Sequence, residues 1–146
     1  MKGTFLFTKY SIPHMKGRGG SIIITNSING NRIFSNIGMS AYSISNARQV
    51  AFMKMAALEL ARYKIRVNAV CPDAIETNIE QNTNRTEELE KVQIPVEFPE
   101  GDQPLAAGPG KPEQVADLVL FLASDDSNHI SGTDIYIDGT ESLPRG

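Results

Sequence analysis

A hydroxyl and a phenol are the first candidates for chemistry in this sequence. Ser27 follows the short apolar run SIIIT and Asn26, and Tyr42 lies near the start of a long segment without Pro or Gly. A serine hydroxyl held beside a tyrosine phenol makes a proton-transfer pair suited to carbonyl or alcohol chemistry. Such a phenol gains from a cation one helical turn away, because positions four apart share a helix face. That position holds the neutral Asn46. A lysine ammonium about 4 Å from a phenolate contributes on the order of 4 kcal/mol at an effective dielectric of about 20. An amide supplies none of that charge. Arg48 does not replace it, since its offset from Tyr42 puts it on another face of the helix.

The elements that must position these groups follow from pattern. Residues 1 to about 16 carry Phe5, Leu6, Tyr10 and Met15 at helix-like intervals, with Pro13 weakening the last turn and Gly17, Gly19 and Gly20 ending it. Ser21 to Thr25 is apolar without alternation, which predicts a strand covered on both faces. Asn26 to Met39 is rich in Asn, Ser and Gly and reads as a loop.

From about Ser40 to Tyr63 the composition predicts a helix. Ile44, Ala47, Ala51, Met55, Leu58 and Ala61 form an apolar stripe along it, small enough at its alanines for another helix to approach closely. Ile65 to Val70 predicts a second buried strand, stopped by Cys71-Pro72. Thr77 to roughly Gly110 is polar, with TEELEKVQ as a possible short helix; a connection of this length suggests a lid. Lys111 to Ser124 predicts a helix opened by Pro112 and Glu113, with Val115, Leu118, Val119 and Leu122 facing the core. Gly132 to Ile137 is the third strand, followed by an Asp138-Gly139 turn. Alternating helices and strands are the grammar of a parallel α/β sheet with right-handed crossovers. Three strands are few for such a sheet, and an edge is left without a neighbour.

Composition narrows the function classes. The chain has 146 residues, 40% hydrophobic and 21% charged, a globular balance. A formal charge of −3 gives no reason to expect nucleic acid or an anionic membrane as a partner. No apolar run approaches the roughly 20 residues that span a bilayer, and the opening MKGTFLFTKY lacks the features of a signal peptide. Cys71 is the single cysteine, which fits a reducing compartment, so a soluble cytoplasmic protein is expected. His14 and His129 lie far apart without ligand partners at metal spacing, so no metal site is expected.

The order GGSIIITNS, then AYSIS, then LELARYKIRVNAVCP, then GKPEQVADLVLFLASDDSNHISGTDIYIDG resembles the C-terminal half of short-chain dehydrogenase/reductases. The resemblance covers essentially the whole chain and is weakest from Asn78 to Ala107. It implies an α/β fold, a partial Rossmann-type doubly wound parallel sheet of about three strands with flanking helices, its N-terminal half absent. Residues 1–146 would then be the C-terminal part of one such domain.

The activity implied is NAD- or NADP-dependent oxidoreduction of a small carbonyl or alcohol substrate. The resemblance gives Ser27 to the substrate oxygen, Tyr42 to the proton, and Asn46 to the position of the family's lysine, which holds the nicotinamide ribose. Ser27, Tyr42 and Asn46 form the implied catalytic set; Tyr42, Asn46, Pro72, Ile75 and Thr77 form the implied cofactor-binding set. Asn78 to Gly108 corresponds to the substrate lid. Subunits of the family pair through their long helices, which implies a homo-oligomer with Ala47, Ala51 and Met55 at the contact.

Several departures from the family pattern bear on activity. The Gly-rich phosphate loop and the Asn-Ala-Gly strand end are not in this sequence, and a further catalytic Asn would fall just before Met1-Lys2-Gly3. Asn46 replaces the lysine and Asp73 replaces the glycine of a Pro-Gly pair. Inactivity of the chain alone, and doubtful cofactor binding, are the expectations. The rival reading is a non-catalytic, degenerate relative that acts only as an oligomerisation partner. Taken singly, Ser27 suits a strand end bonded to nearby backbone, Thr77 a helix N-cap with Glu80, and Cys71 a small core residue.

Overall fold

The computed structural model describes residues 1–34, 37–79, 87, 91, 104, 105 and 108–145. Helix α1 (Lys2–Met15) leads into strand β1 (Gly20–Thr25), long helix α2 (Ser40–Leu60) and, after a 3₁₀ turn at Ala61–Tyr63, strand β2 (Ile65–Pro72). Helix α3 (Pro112–Ala123), strand β3 (Asp134–Ile137) and the short helix α4 (Ser142–Arg145) complete the described elements. The sheet has three parallel strands in the order β1-β2-β3. Gly20 pairs with Ile65 and Thr25 with Val70, while Ala69 pairs with Asp134 and Pro72 with Ile137.

The apolar run of β2 is explained by helices on both of its faces. Successive side chains alternate between faces. Ile65, Val67, Ala69 and Cys71 join Ile22 and Ile24 of β1 against Val50, Met53, Ala56, Ala57 and Leu60 of α2. Arg66 points to the other face, where its guanidinium donates to the Leu122 and Ser124 carbonyls at 2.8 and 3.0 Å and caps the end of α3. Asn68, fully buried, donates to the Ile130 carbonyl and accepts from the Thr133 N–H, steering the chain into β3. Val115, Leu118, Val119 and Leu122 turn inward on α3, as their spacing predicts.

Three details differ from the sequence reading. β2 runs on through Cys71 and Pro72, because β3 continues to pair with them. β3 begins at Asp134 rather than Gly132. On α2, the stripe of Ile44, Ala47, Ala51, Met55 and Leu58 faces away from the sheet, and the core is met instead by Asn46, Val50, Met53, Ala56, Ala57 and Leu60. Both faces of this helix are apolar, so periodicity did not specify which one the sheet covers. The TEELEKVQ segment and most of the expected lid lie outside the described residues, as does Glu80 of the Thr77 capping box. Among the described residues, no helix is long and apolar enough to cross a membrane.

Candidate active site

Ser27 sits where β1 leaves the sheet. Backbone pairing continues past Thr25: the Asn26 N–H donates to the Val70 carbonyl at 2.8 Å and the Ile28 N–H to the Pro72 carbonyl at 3.1 Å. Ser27 is therefore held between two fixed backbone bonds, at 7% exposure. Its hydroxyl accepts from the Asn29 N–H at 3.1 Å, and its carbonyl accepts from Asn31 Nδ2 at 2.9 Å. The local bond expected of an isolated strand-end serine is present, and the hydroxyl proton remains free to donate elsewhere.

Two contacts join this segment to the first turns of α2. Asn26 Nδ2 donates to the Asn46 carbonyl at 3.1 Å. Gly30, at φ +84°, lies so close to α2 that an added Cβ would stand 2.2 Å from the Ser43 carbonyl oxygen. Only glycine allows both that φ and that approach. The loop after Ser27 is thus clamped beside the residue following Tyr42, and the end of β1 is tied to the turn after it. Sequence reasoning passed over Asn26 and Gly30; a glycine shortly after a strand end was the available signal. Tyr42 is 43% exposed, and Ser27, Tyr42 and Asn46 line neither the cavity beside Arg18 and Arg66 nor the one beside Asp73 and Tyr136.

Asn46 is 4% exposed, and its Nδ2 has no hydrogen-bond partner among the described residues. A buried donor left without an acceptor costs roughly 1–3 kcal/mol. Such an atom suits a site that receives an acceptor from outside, such as a sugar hydroxyl. Of the remaining implied cofactor residues, Pro72 is drawn to the Ser27 segment through Ile28. Ile75 bridges to Gly110, with Glu76 N–H on the Gly110 carbonyl and Gly110 N–H on the Ala74 carbonyl, both at 2.9 Å. Thr77 is exposed, and its Oγ1 accepts from the Ile79 N–H at 3.4 Å.

Charge concentrates one strand further along the sheet. Tyr136 Oη donates to Asp134 Oδ2 at 2.7 Å, and Lys54 of α2 pairs with Asp134 Oδ1 at 3.0 Å. Burial opposes the Asp134 carboxylate, yet these hydrogen bonds and the lysine charge hold its pKa below the usual value. Burial, then Asp134, pushes the Tyr136 phenol up to about 12. Burial, again with Asp134, also pushes the Cys71 thiol up to about 12, so Cys71 is an inert core group. The Arg32 guanidinium lies 3.7 Å over the Tyr136 ring.

A parallel sheet with helices on both faces, and polar groups gathered outside the carboxyl ends of its strands, is the arrangement of Rossmann-type enzymes. The chain belongs to the short-chain dehydrogenase/reductase family. Residues 1–140 match the family model described as enoyl-(acyl carrier protein) reductase. It is similar to a 3-oxoacyl-[acyl-carrier-protein] reductase of Thermotoga maritima, 40% identical over 142 residues, covering 95% of this chain and 52% of that protein. Among solved structures it is similar to a 3-ketoacyl-ACP reductase from Sinorhizobium meliloti, with TM-score 0.89 and 45% identity, covering 99% of this chain and 57% of that one. A 3-oxoacyl-[acyl-carrier protein] reductase from Brucella melitensis with bound NAD matches with TM-score 0.75 and 32% identity, covering 95% of this chain and 47% of that one. The chain spans about half the length of the curated relatives it matches.

Proposed function

We propose that this chain is the proton-handling portion of an NAD- or NADP-dependent oxidoreductase acting on a carbonyl or alcohol, with a 3-oxoacyl thioester as the first substrate to try. The observation that carries the reading is the double clamp, Asn26 on Asn46 and Gly30 on Ser43, that fixes the Ser27 segment against the turn bearing Tyr42. In this reading the Ser27 hydroxyl donates to the substrate oxygen and the Tyr42 phenol gives or takes the proton. The Asn46 amide, unpartnered among the described residues, fits a nicotinamide-ribose hydroxyl, with Pro72, Ile75 and Thr77 along the nicotinamide edge. When bound, the dinucleotide supplies the hydride. Asn46 brings no charge to Tyr42, so turnover is slow even in a polypeptide that also carries a phosphate-binding half. Residues 1–146 would there be the C-terminal part of one domain, and Asn78 to Gly108 its lid. Nicotinamide fluorescence of the chain alone is expected to show no micromolar NAD(P)H binding. Its buried thiol suits the cytoplasm.

The test is nicotinamide absorbance with an acetoacetyl thioester in the longer polypeptide. Tyr42→Phe and Ser27→Ala each lower turnover by about 10²–10⁴-fold, and Asn46→Lys raises it. Turnover that survives Tyr42→Phe overturns the assignment. A second reading, oligomerisation alone, draws on the outward stripe of Ile44, Ala47, Ala51, Met55 and Leu58, exposed along α2. Under that reading Ala51→Glu converts a dimer to a monomer in light scattering, while no variant of Tyr42 affects anything measurable.

A further inference from the structure

The loop that carries Ser27 is held on a further side by its own arginine. Within the loop the Ile28 carbonyl accepts from the N–H groups of Asn31, Arg32 and Ile33 at 3.2, 2.9 and 3.1 Å, and the Gly30 N–H donates to the Ile33 carbonyl at 3.1 Å. Ile28 and Ile33 are buried beneath these bonds. Residues 27–33 are therefore one compact unit, and what displaces Arg32 displaces Ser27. From that unit the Arg32 side chain extends past β2 to β3 and the segment beyond it. Its guanidinium lies 3.7 Å from the centre of the Tyr136 ring, and Nη1 donates to the Ser142 hydroxyl at 3.4 Å. No carboxylate pairs with Arg32 among the described residues. Both of its contacts are anchored in turn. The Tyr136 hydroxyl donates to Asp134 Oδ2 at 2.7 Å, and Lys54 of α2 pairs with Asp134 Oδ1 at 3.0 Å. The Ser142 hydroxyl donates to the buried Asp138, whose Oδ1 also accepts at 3.2 Å from the N–H of Thr140. Thr140 sits in the left-handed region at φ 70°, a strained place for a β-branched residue.

We propose that Arg32 is a positioning residue: it straps the Ser27 loop across β2 to Tyr136 and closes a circuit of contacts that starts and ends on α2. The circuit runs from Lys54 of α2 through Asp134 and Tyr136 to Arg32, along the loop, and back through Asn26 to Asn46 of α2. Because α2 also bears Tyr42, the circuit fixes Ser27 relative to the phenol from two directions. A guanidinium suits this task, since its plane stacks on the ring while its fork still bonds the Ser142 hydroxyl. The inference rests on the reading of Ser27 as the group that meets the substrate oxygen, which gives the positioning its purpose. Without the strap the loop keeps its clamp at Gly30 and Ser43, so loss of Arg32 loosens the loop and does not unfold it.

Hydrogen exchange followed by mass spectrometry tests this on the chain itself. A peptide spanning residues 27–34 holds the bonded amides of the loop; a peptide spanning residues 115–123 of α3, on the other face of the sheet, is the reference and reports on folding. Arg32→Gln, at an exposed side chain, speeds exchange of the loop peptide about fivefold after correction for intrinsic rates, the size of a partly exposed cation–aromatic contact, and leaves α3 unchanged. Lys54→Met lies two contacts away, yet speeds the same peptide about twofold by freeing Asp134 and the ring. In the double variant the loop exchanges no faster than in Arg32→Gln, because the circuit is already open. Unchanged loop exchange in Arg32→Gln, a loop indifferent to Lys54→Met, or effects that multiply in the double variant overturns the proposal. In the longer polypeptide Arg32→Gln lowers kcat about tenfold and holds KM within about twofold of the wild type. An unchanged kcat beside a loosened loop overturns the positioning role. The exchange measurements need no substrate, so the two readings fail separately: turnover that survives Tyr42→Phe while the loop responds as stated overturns the oxidoreductase reading and leaves the strap standing.

Discussion

The two ends of the site differ in how they handle charge. At the seam of β1 and α2, Ser27, Tyr42 and Asn46 offer hydroxyl, phenol and amide groups positioned by backbone geometry, with the buried Asn46 Nδ2 unpaired among the described residues. At the ends of β2 and β3, Asp73, Asp134, Asp138, Glu141, Arg32 and Lys54 interact through hydrogen bonds, an ion pair and a cation stacked on an aromatic ring. The position one helical turn after Tyr42 carries no charge, whereas carboxylates, Lys54 and Arg32 gather in the second region. Shape and electrostatics thus separate within one site. The seam keeps a close fit without its charge, while its neighbour carries charge in a strained turn.

The seam breaks most sharply at Gly30. Gly30→Ala forces a Cβ onto the Ser43 carbonyl at a φ that disfavours it, and should lower unfolding free energy in denaturant by roughly 2–4 kcal/mol. A loss below about 0.5 kcal/mol would mean that the loop is not clamped to α2. The charged region breaks at Asp138: Asp138→Ala strips the acceptor from Thr140 and Ser142 and should cost about 1–3 kcal/mol in the same measurement.

Stability should also depend on pH through Asp73. Its folded pKa lies above the usual aspartate value of 3.8, pushed up first by burial to about 7, so the folded chain binds this proton more tightly than the unfolded one. The contribution is complete below the unfolded pKa, and declines as pH rises from there through the folded pKa. The thermal midpoint of the wild type should accordingly fall more steeply between about pH 5 and about pH 8 than that of Asp73→Gly; parallel curves would show that Asp73 is not proton-linked. The smallest effect has the opposite sign. Asn46→Leu removes an unsatisfied donor at similar size and should stabilise the chain by about 1 kcal/mol. A destabilisation of that size would reveal a partner for the amide in the folded chain.

Much of this was legible in the chain before folding. The runs SIIIT and IRVNAV gave two buried strands because parallel strands covered on both faces need no polar alternation. Pro112, Glu113 and the spacing of Val115, Leu118, Val119 and Leu122 gave α3 its start and its inner face. The neutral residue one turn after Tyr42 was equally plain, since helical spacing is a local property. The inner face of α2 was not legible, because Val50 and Met53 compete with Ile44 and Met55 as equally apolar stripes and only the sheet selects between them.

What the sequence determined by itself was the element order and the residue types available for proton transfer, both set by local periodicity and chemistry. The tertiary structure decided which groups meet. It pressed Gly30 on Ser43, left the Asn46 amide without a partner among the described residues, and brought the Asp73 N–H to the Ile137 carbonyl from a distant part of the chain. Contacts between residues so far apart depend on strand register and on the path of a turn at positive φ, and neither is encoded in the spacing of any single segment.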